Sequence, residues 1–292
     1  MADNAAIYDL GYSHYQGGRL AYSASLFTLY VESVRIAFGL GRRFVYKVAP
    51  LTLLLIAVVP AAIALGIASV IGDEIEPYRY DNYYGIVALT IALFCAVVAP
   101  DLVGRDVRNR TLALYVSRGI SRLDYIAIKI AALISATLLF SLIPQAMLFL
   151  GNALAARNTF TYVTDNIEAI PRIIASALVI GLLLGSLAVA FAAQTTNRAY
   201  ATGGFVALVV LSTAITNILF EAGDGGDWVY VLLGGVLDVL EGSTEFIFSS
   251  PIEPGTDRDR AEFERGYYLV SLLAVSAAAI ALTVRRYLRM PL

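Results

Sequence analysis

Cysteine, histidine and charge are all scarce in this sequence, and each scarcity removes a class of function. The single cysteine, Cys95, stands in the middle of an apolar run, which excludes an internal disulfide and argues against a cysteine-based metal site. It reads as a small core hydrophobe. The lone histidine, His14, has no Cys, Asp/Glu or second His at ligand spacing and reads as a surface residue, because a metal site needs several convergent ligands. Gly-x-x-x-x-Gly-Lys-Ser/Thr, His-Glu-x-x-His and Gly-x-Ser-x-Gly are all missing. The chain is therefore not expected to bind nucleotide by the Walker route or to act as an enzyme. Charged residues are 15% of the whole and hydrophobic residues 59%, whereas a soluble domain carries roughly 25% charge. That balance belongs to an integral membrane protein.

What is present is a series of apolar runs. A crossing of the roughly 30 Å hydrocarbon layer takes about 20 residues. Runs of that order lie near Tyr46–Ile71, Tyr83–Pro100, Tyr125–Ala155, Pro171–Ala193, Tyr200–Phe220 and Tyr267–Val284. Pro60 and Pro144 fall inside the first and third, predicting kinks there or a break of the third into two pieces. Gly181 and Gly185, with Ala177 and Ala188 nearby, form a small-residue stripe suited to close helix packing within the chain. Ahead of the first run, Met1–Gly18 is polar and lacks the apolar core of a signal peptide. Ser23–Arg43 then places Leu26, Phe27, Tyr30, Val31, Val34 and Phe38 on one helical face, opposite Thr28, Glu32, Arg35 and Arg42. An amphipathic helix lying along the membrane surface is expected there. The predicted fold is thus all-α: an N-terminal segment and interfacial helix over residues 1–45, then a six-span domain over 46–292.

The stretch Asp101–Lys129 separates two runs without any Asp, Glu, Lys or Arg, Tyr83–Pro100 and Ile130–Ala156. It holds Arg105, Arg108, Arg110, Arg118, Arg122 and Lys129 against Asp101, Asp106 and Asp124. Such a basic island marks a loop kept on the cytoplasmic face. With it inside, both termini are cytoplasmic too. The inner face then carries 15 of the 21 Lys/Arg, and the outer face receives 17 of the 23 acids. Ser121 and Asp124 have the spacing of a capping box opening the next helix. Gly104–Tyr115 is expected to form a short helix with Arg105 and Arg108 on one face.

The order Arg110-Thr111-Leu112, Gly119-Ile120-Ser121-Arg122, Tyr125 and Lys129 resembles the cytoplasmic loop of the type-two ABC permeases, the membrane subunits of many exporters. The chain departs from that pattern at Gly119, where Pro is common, and at Asp106, where Glu is common. The resemblance implies that the loop, residues 101–124, docks on a separate ATP-binding subunit. Arg105, Asp106, Arg108, Asn109, Arg110, Thr111, Tyr115, Ser121 and Arg122 would carry that coupling. It further implies a second permease copy, with ATP and magnesium held by the partner and no cofactor in this chain. The setting is the cell membrane, and no nucleic acid is expected as a partner.

The six runs keep no charge in their interiors, whereas pumps and ion-coupled carriers keep ionisable relays there. An external energy source fits better. Thr90, Gln145, Asn152 and Asn217 are the candidate polar liners of a pathway suited to amphipathic or apolar cargo, with interhelical hydrogen bonding as their other role. Outside, the segment 221–266 contains an apolar stretch, Trp228–Leu240, too short to span and expected at the interface or re-entrant. Asp224-Gly-Gly-Asp227 and Asp257-Arg-Asp259 lack the spacing of a calcium loop. Two alternatives to an exporter are a mechanotransmitter acting through that outer segment on an outside partner, and a secondary carrier working alone.

Overall fold

A computed structural model describes residues 21–71, 79–109, 111–223, 227–252, 254–261 and 264–290, and all regular elements among them are helical. His14 and Arg110 lie outside the described residues. The first helix, α1, spans Tyr22–Ala37 and turns Leu29, Ser33 and Ala37 inward, one per turn. It lies against α6, defined below, where the Tyr30 hydroxyl meets Ser135 Oγ at 2.7 Å. It ends earlier than Arg43 because Gly39 and Gly41 take φ of +67° and +76°. A Cβ on Gly39 would stand 2.5 Å from the Tyr46 carbonyl oxygen, so this turn requires glycine.

Helix α2 covers Val45–Ile71 and runs through Pro50 and Pro60. Helix α3 covers Tyr80–Ala99 and does not stop at Pro100: it widens into a π turn over Pro100–Gly104 and continues as α4, Arg105–Arg108. Pro100 has no N–H to give the helical ladder, and the wider turn carries the chain past it. The expected single helix over Gly104–Tyr115 is therefore two pieces, α4 as the end of a span and α5 over Leu112–Ser117. Gly119, at φ +87°, makes the turn into α6. Helix α6, Arg122–Ala155, is continuous through Pro144, so the third run is not split. Its start shows one half of the expected capping box: the Asp124 N–H donates to Ser121 Oγ at 3.0 Å, while Asp124 Oδ2 accepts from the Ser121 hydroxyl at 2.6 Å and the Ser121 N–H donates to the Tyr22 hydroxyl at 3.4 Å.

A short α7, Thr159–Asp165, leads to α8, Ala169–Gln194, and α9, Arg198–Ala222. Beyond lie a 3-10 turn over Asp227–Gly234, α10 over Val236–Phe248, α11 over Asp257–Ala261 and α12 over Gly266–Arg289. Among the described residues, six helical stretches are long and apolar enough to cross a membrane: Val45–Ile67, Tyr80–Arg108, Arg122–Ala155, Ala169–Gln194, Arg198–Ala222 and Gly266–Arg289. Burial ranks them. The apolar window of α8 is 72% buried and that of α2 only 17%, so α8 stands at the centre and α2 at the periphery. The small-residue stripe is what lets α8 sit there. A Cβ on Gly181 would lie 3.1 Å from the Ile134 carbonyl of α6, and one on Gly185 3.4 Å from Ile134 Cγ1, so the stripe seats a neighbouring helix of the same chain.

Phe94 of α3 stacks on Phe140 of α6 with ring centroids 4.4 Å apart, a contact worth roughly 0.5–1.5 kcal/mol beyond its area. Beside it Cys95 is buried with its sulfur 3.2 Å from Thr137 Oγ1. The long helices alternate between two ends. One end gathers Tyr22, Arg42, Asp101, Arg122, Arg198 and Tyr287, and the other Arg79, Tyr162, Arg172, Phe248 and Arg258.

Candidate functional site

Asp106 is the centre of the first end. Its position just after the π turn aims the carboxylate back at α6 rather than outward. Oδ2 accepts from the Tyr125 hydroxyl at 2.5 Å and pairs with Lys129 Nζ at 3.1 Å, while Oδ1 accepts from Thr111 Oγ1 at 3.1 Å. Lys129 is 2% exposed. It is a buried cation in the second turn of α6, not a solvated loop base, and the aromatic face of Tyr125 lies 5.4 Å from its ammonium. Tyr125 in turn packs between Tyr115 of α5, centroids 5.2 Å apart, and Tyr287 of α12, 5.9 Å apart. Burial pushes the Tyr115 phenol above its ordinary value, with the Asp106 charge adding to the effect. One carboxylate thereby ties the two loop helices to the starts and ends of three long helices.

Arg122 completes the tie. Its guanidinium donates to the carbonyls of Tyr287 at 3.3 Å, Leu288 at 3.1 Å and Met290 at 2.9 Å. These are carbonyls at the end of α12, which the helix itself leaves without partners. Asp124 accepts from the Tyr22 hydroxyl at 2.6 Å, which fixes the start of α1 on the same corner.

The candidate coupling residues therefore divide. Arg105, Arg108 and Asn109 are exposed, and Leu114 of α5 is an apolar side chain exposed at 63%. Asp106, Thr111, Tyr115, Ser121 and Arg122 are bonded or stacked inside the corner. Sequence reasoning missed Leu114, Lys129 and Tyr287. Leu114 was legible as a large apolar residue in a basic loop; the other two depend on which helices meet.

Of the four candidate pathway residues, Gln145 and Asn152 both meet Tyr80 of α3. Gln145 is fully buried and its amide donates to the Tyr80 carbonyl at 2.9 Å, a bond between α6 and α3. Asn152, two turns later on the same helix, is buried as well. Thr90 is half-buried in α3 and Asn217 half-buried in α9.

At the opposite end, the stretch expected at the interface or re-entrant divides into an exposed-sided 3-10 turn and the start of a helix packed in the bundle. The chain breaks at Gly235, and α10 packs against α3, α8, α9 and α12. Of the acids at helical spacing in α10, Glu241 and Glu245 serve Arg258 of α11, whose guanidinium meets Glu241 Oε2 at 2.5 Å and Glu245 Oε1 at 3.0 Å. Asp238 is buried, with Thr216 Oγ1 3.4 Å from Oδ2. Burial pushes its carboxyl up to about 6, Arg258 opposing and the Glu241 and Asp257 charges adding. Burial raises Glu245 also. A raised folded-state value favours the folded chain fully below the ordinary carboxylate range, and that contribution is lost as pH rises through about 6. Asp238→Asn should therefore raise the thermal unfolding midpoint at pH 7.5 by removing a cost of up to about 3 kcal/mol. At pH 4 it should change little. Equal midpoints for variant and wild type at both pH values would contradict this assignment.

No protein-family model matches the chain, and no curated protein matches it in sequence.

Proposed function

We propose that the chain is the membrane subunit of an ABC-type exporter of amphipathic or apolar cargo, driven by a separate ATPase and working as a pair of permeases in the cell membrane. The observation that carries this reading is the Asp106 corner. An exposed basic surface, Arg105, Arg108 and Asn109, stands on helices that are tied by Asp106 to Tyr125 and Lys129 of α6 and, through the tyrosine stack, to α12. Motion imposed on that surface by a partner would be passed to several long helices at once. A solvated loop needs none of these internal ties. The mixture of basic residues and an exposed leucine matches a docking patch with an apolar centre and polar rim.

The resemblance at Arg110–Leu112 and Gly119–Arg122 points the same way. In this reading the Asp106 end is cytoplasmic, α1 lies along the inner surface, and ATP and magnesium sit in the partner. The packing of α10 among the long helices favours transport over mechanotransmission, because the outer segment's longest helix is part of the bundle rather than a projecting contact. The exposed apolar faces of α2 and α9 are available to lipid or to the second copy.

The reading is tested by co-expression with a candidate ABC-type ATPase subunit of the same cell. A stable complex is expected on purification, and recovery of the chain without the ATPase would contradict the assignment. Orientation is tested separately. Cys95 is buried, so single cysteines at Asn109, Pro254 and Arg289, all exposed, report alone. Asn109 and Arg289 should be labelled only from the cytoplasm and Pro254 only from outside. The reverse pattern would show that the charge bias was misread.

A further inference from the structure

Next to the Asp106 corner is a cavity that the proposed coupling does not use as a whole. It has a volume of about 520 Å³ and lies between the α1–α2 turn, the π turn after α3, α4 and the start of α9. Five arginines line it, Arg42, Arg43, Arg105, Arg108 and Arg198, against one acidic residue, Asp101. Asp101 sits between two of them, 3.5 Å from Arg42 Nη1 and 3.3 Å from Arg198 Nη1. It orients that pair without neutralising the site, which keeps a net charge of about +4 in a concave space. The positive end of the α9 dipole is at the same wall, through Thr195, Thr196 and Asn197.

The rim has the opposite character. Phe44 and Val45, directly after Arg43, are 75% and 76% exposed, and Tyr200 in the first turn of α9 is 74% exposed. Both α2 and α9 are candidate spans that begin here, so the cavity lies at the level where a spanning helix leaves the hydrocarbon. Planar guanidinium groups bind phosphate oxygens in parallel pairs, and an aromatic and aliphatic border suits acyl chains. A purely soluble anion would have no use for that border.

We propose that this cavity binds the phosphate of an anionic ligand, and that the apolar border selects a membrane phospholipid whose chains lie along the exposed faces of α2 and α9. The inference is independent of the exporter reading, since it needs no ATPase and can be tested on the chain alone.

The experiment is thermal unfolding and native mass spectrometry of the purified chain with phosphatidylglycerol, phosphatidylcholine, or millimolar inorganic phosphate and pyrophosphate. Phosphatidylglycerol should be retained and should raise the unfolding midpoint by several degrees, with phosphatidylcholine much weaker. Arg43→Gln with Arg198→Gln should weaken the lipid effect by about tenfold or more, the size of losing charge-assisted contacts. Arg118→Gln with Arg286→Gln, equal in charge but outside the cavity, should not. Should the double variant fail to fold, Arg43→Gln alone decides, because Arg43 is outside the Asp101 pair. Protection by inorganic phosphate equal to that by lipid, and lost in the same variant, would keep the phosphate site and overturn the lipid as its source. No shift with any anion, or a shift unchanged in Arg43→Gln, would overturn the site.

Discussion

Replacing Asp106 by Ala is expected to destabilise the folded chain by about 3–5 kcal/mol, the cost of leaving one member of a buried ion pair without its partner. Lys129 is 2% exposed and its ammonium is 3.1 Å from Asp106 Oδ2. Without that carboxylate the Lys129 ammonium loses its ion-pair partner, and Asp101 is already engaged by Arg42 and Arg198. The Tyr125 and Thr111 hydroxyls lose an acceptor at the same time. Asp106→Asn with Lys129→Met should regain most of the loss, since the amide oxygen still accepts from Tyr125 and no buried charge remains. Unfolding of the purified variants by heat or by graded denaturing detergent measures this. A wild-type midpoint for Asp106→Ala would show that the corner does not hold the loop helices to α6.

Reversing both Arg105 and Arg108 to Glu is the second large effect, and it falls on partnership rather than on folding. Both residues are exposed, and among the described residues no ion pair of theirs holds the corner together. Truncating a charge that is desolvated at an interface costs about 2–5 kcal/mol, while a rim charge costs roughly 0–1 kcal/mol. Because each 1.4 kcal/mol is a factor of ten, retention of the ATPase should fall by about 30-fold or more if either arginine is central to the contact. Insertion should survive, since Arg110, Arg118, Arg122 and Lys129 remain in the loop. Pull-down of the ATPase at equal membrane yield reads the effect. Wild-type retention would remove these two residues from the docking surface.

Much of the architecture was legible because the signals for it are local. Uninterrupted apolar runs mark the long helices, Ser121 and Asp124 mark the start of α6, and Gly181 with Gly185 mark a close approach. The ends of elements were less legible. Pro100 reads as a terminator, yet the helix passes it by widening, and Gly39 rather than the basic pair Arg42–Arg43 stops α1. The pairings were hidden altogether. Arg122 reaches Met290 across 168 residues, and Lys129 is buried only because α4 folds back onto α6. Charge counting treats both as loop bases, and burial and partner choice depend on helices that the sequence places far apart. The acidic spacing in α10 was visible, but its purpose was not, because Arg258 arrives from a separate short helix.

The most direct test of the proposed role is ATP hydrolysis in sealed vesicles containing the chain alone, a candidate ABC-type ATPase subunit alone, or both, with the Arg105→Glu/Arg108→Glu chain as a fourth sample. The expected result is no hydrolysis by the chain alone, hydrolysis by the combined sample that depends on membrane insertion of the chain, and loss of that dependence with the reversed arginines. Robust hydrolysis by the purified chain alone, or ATPase activity that is the same with wild-type chain, reversed chain and no chain, would contradict it.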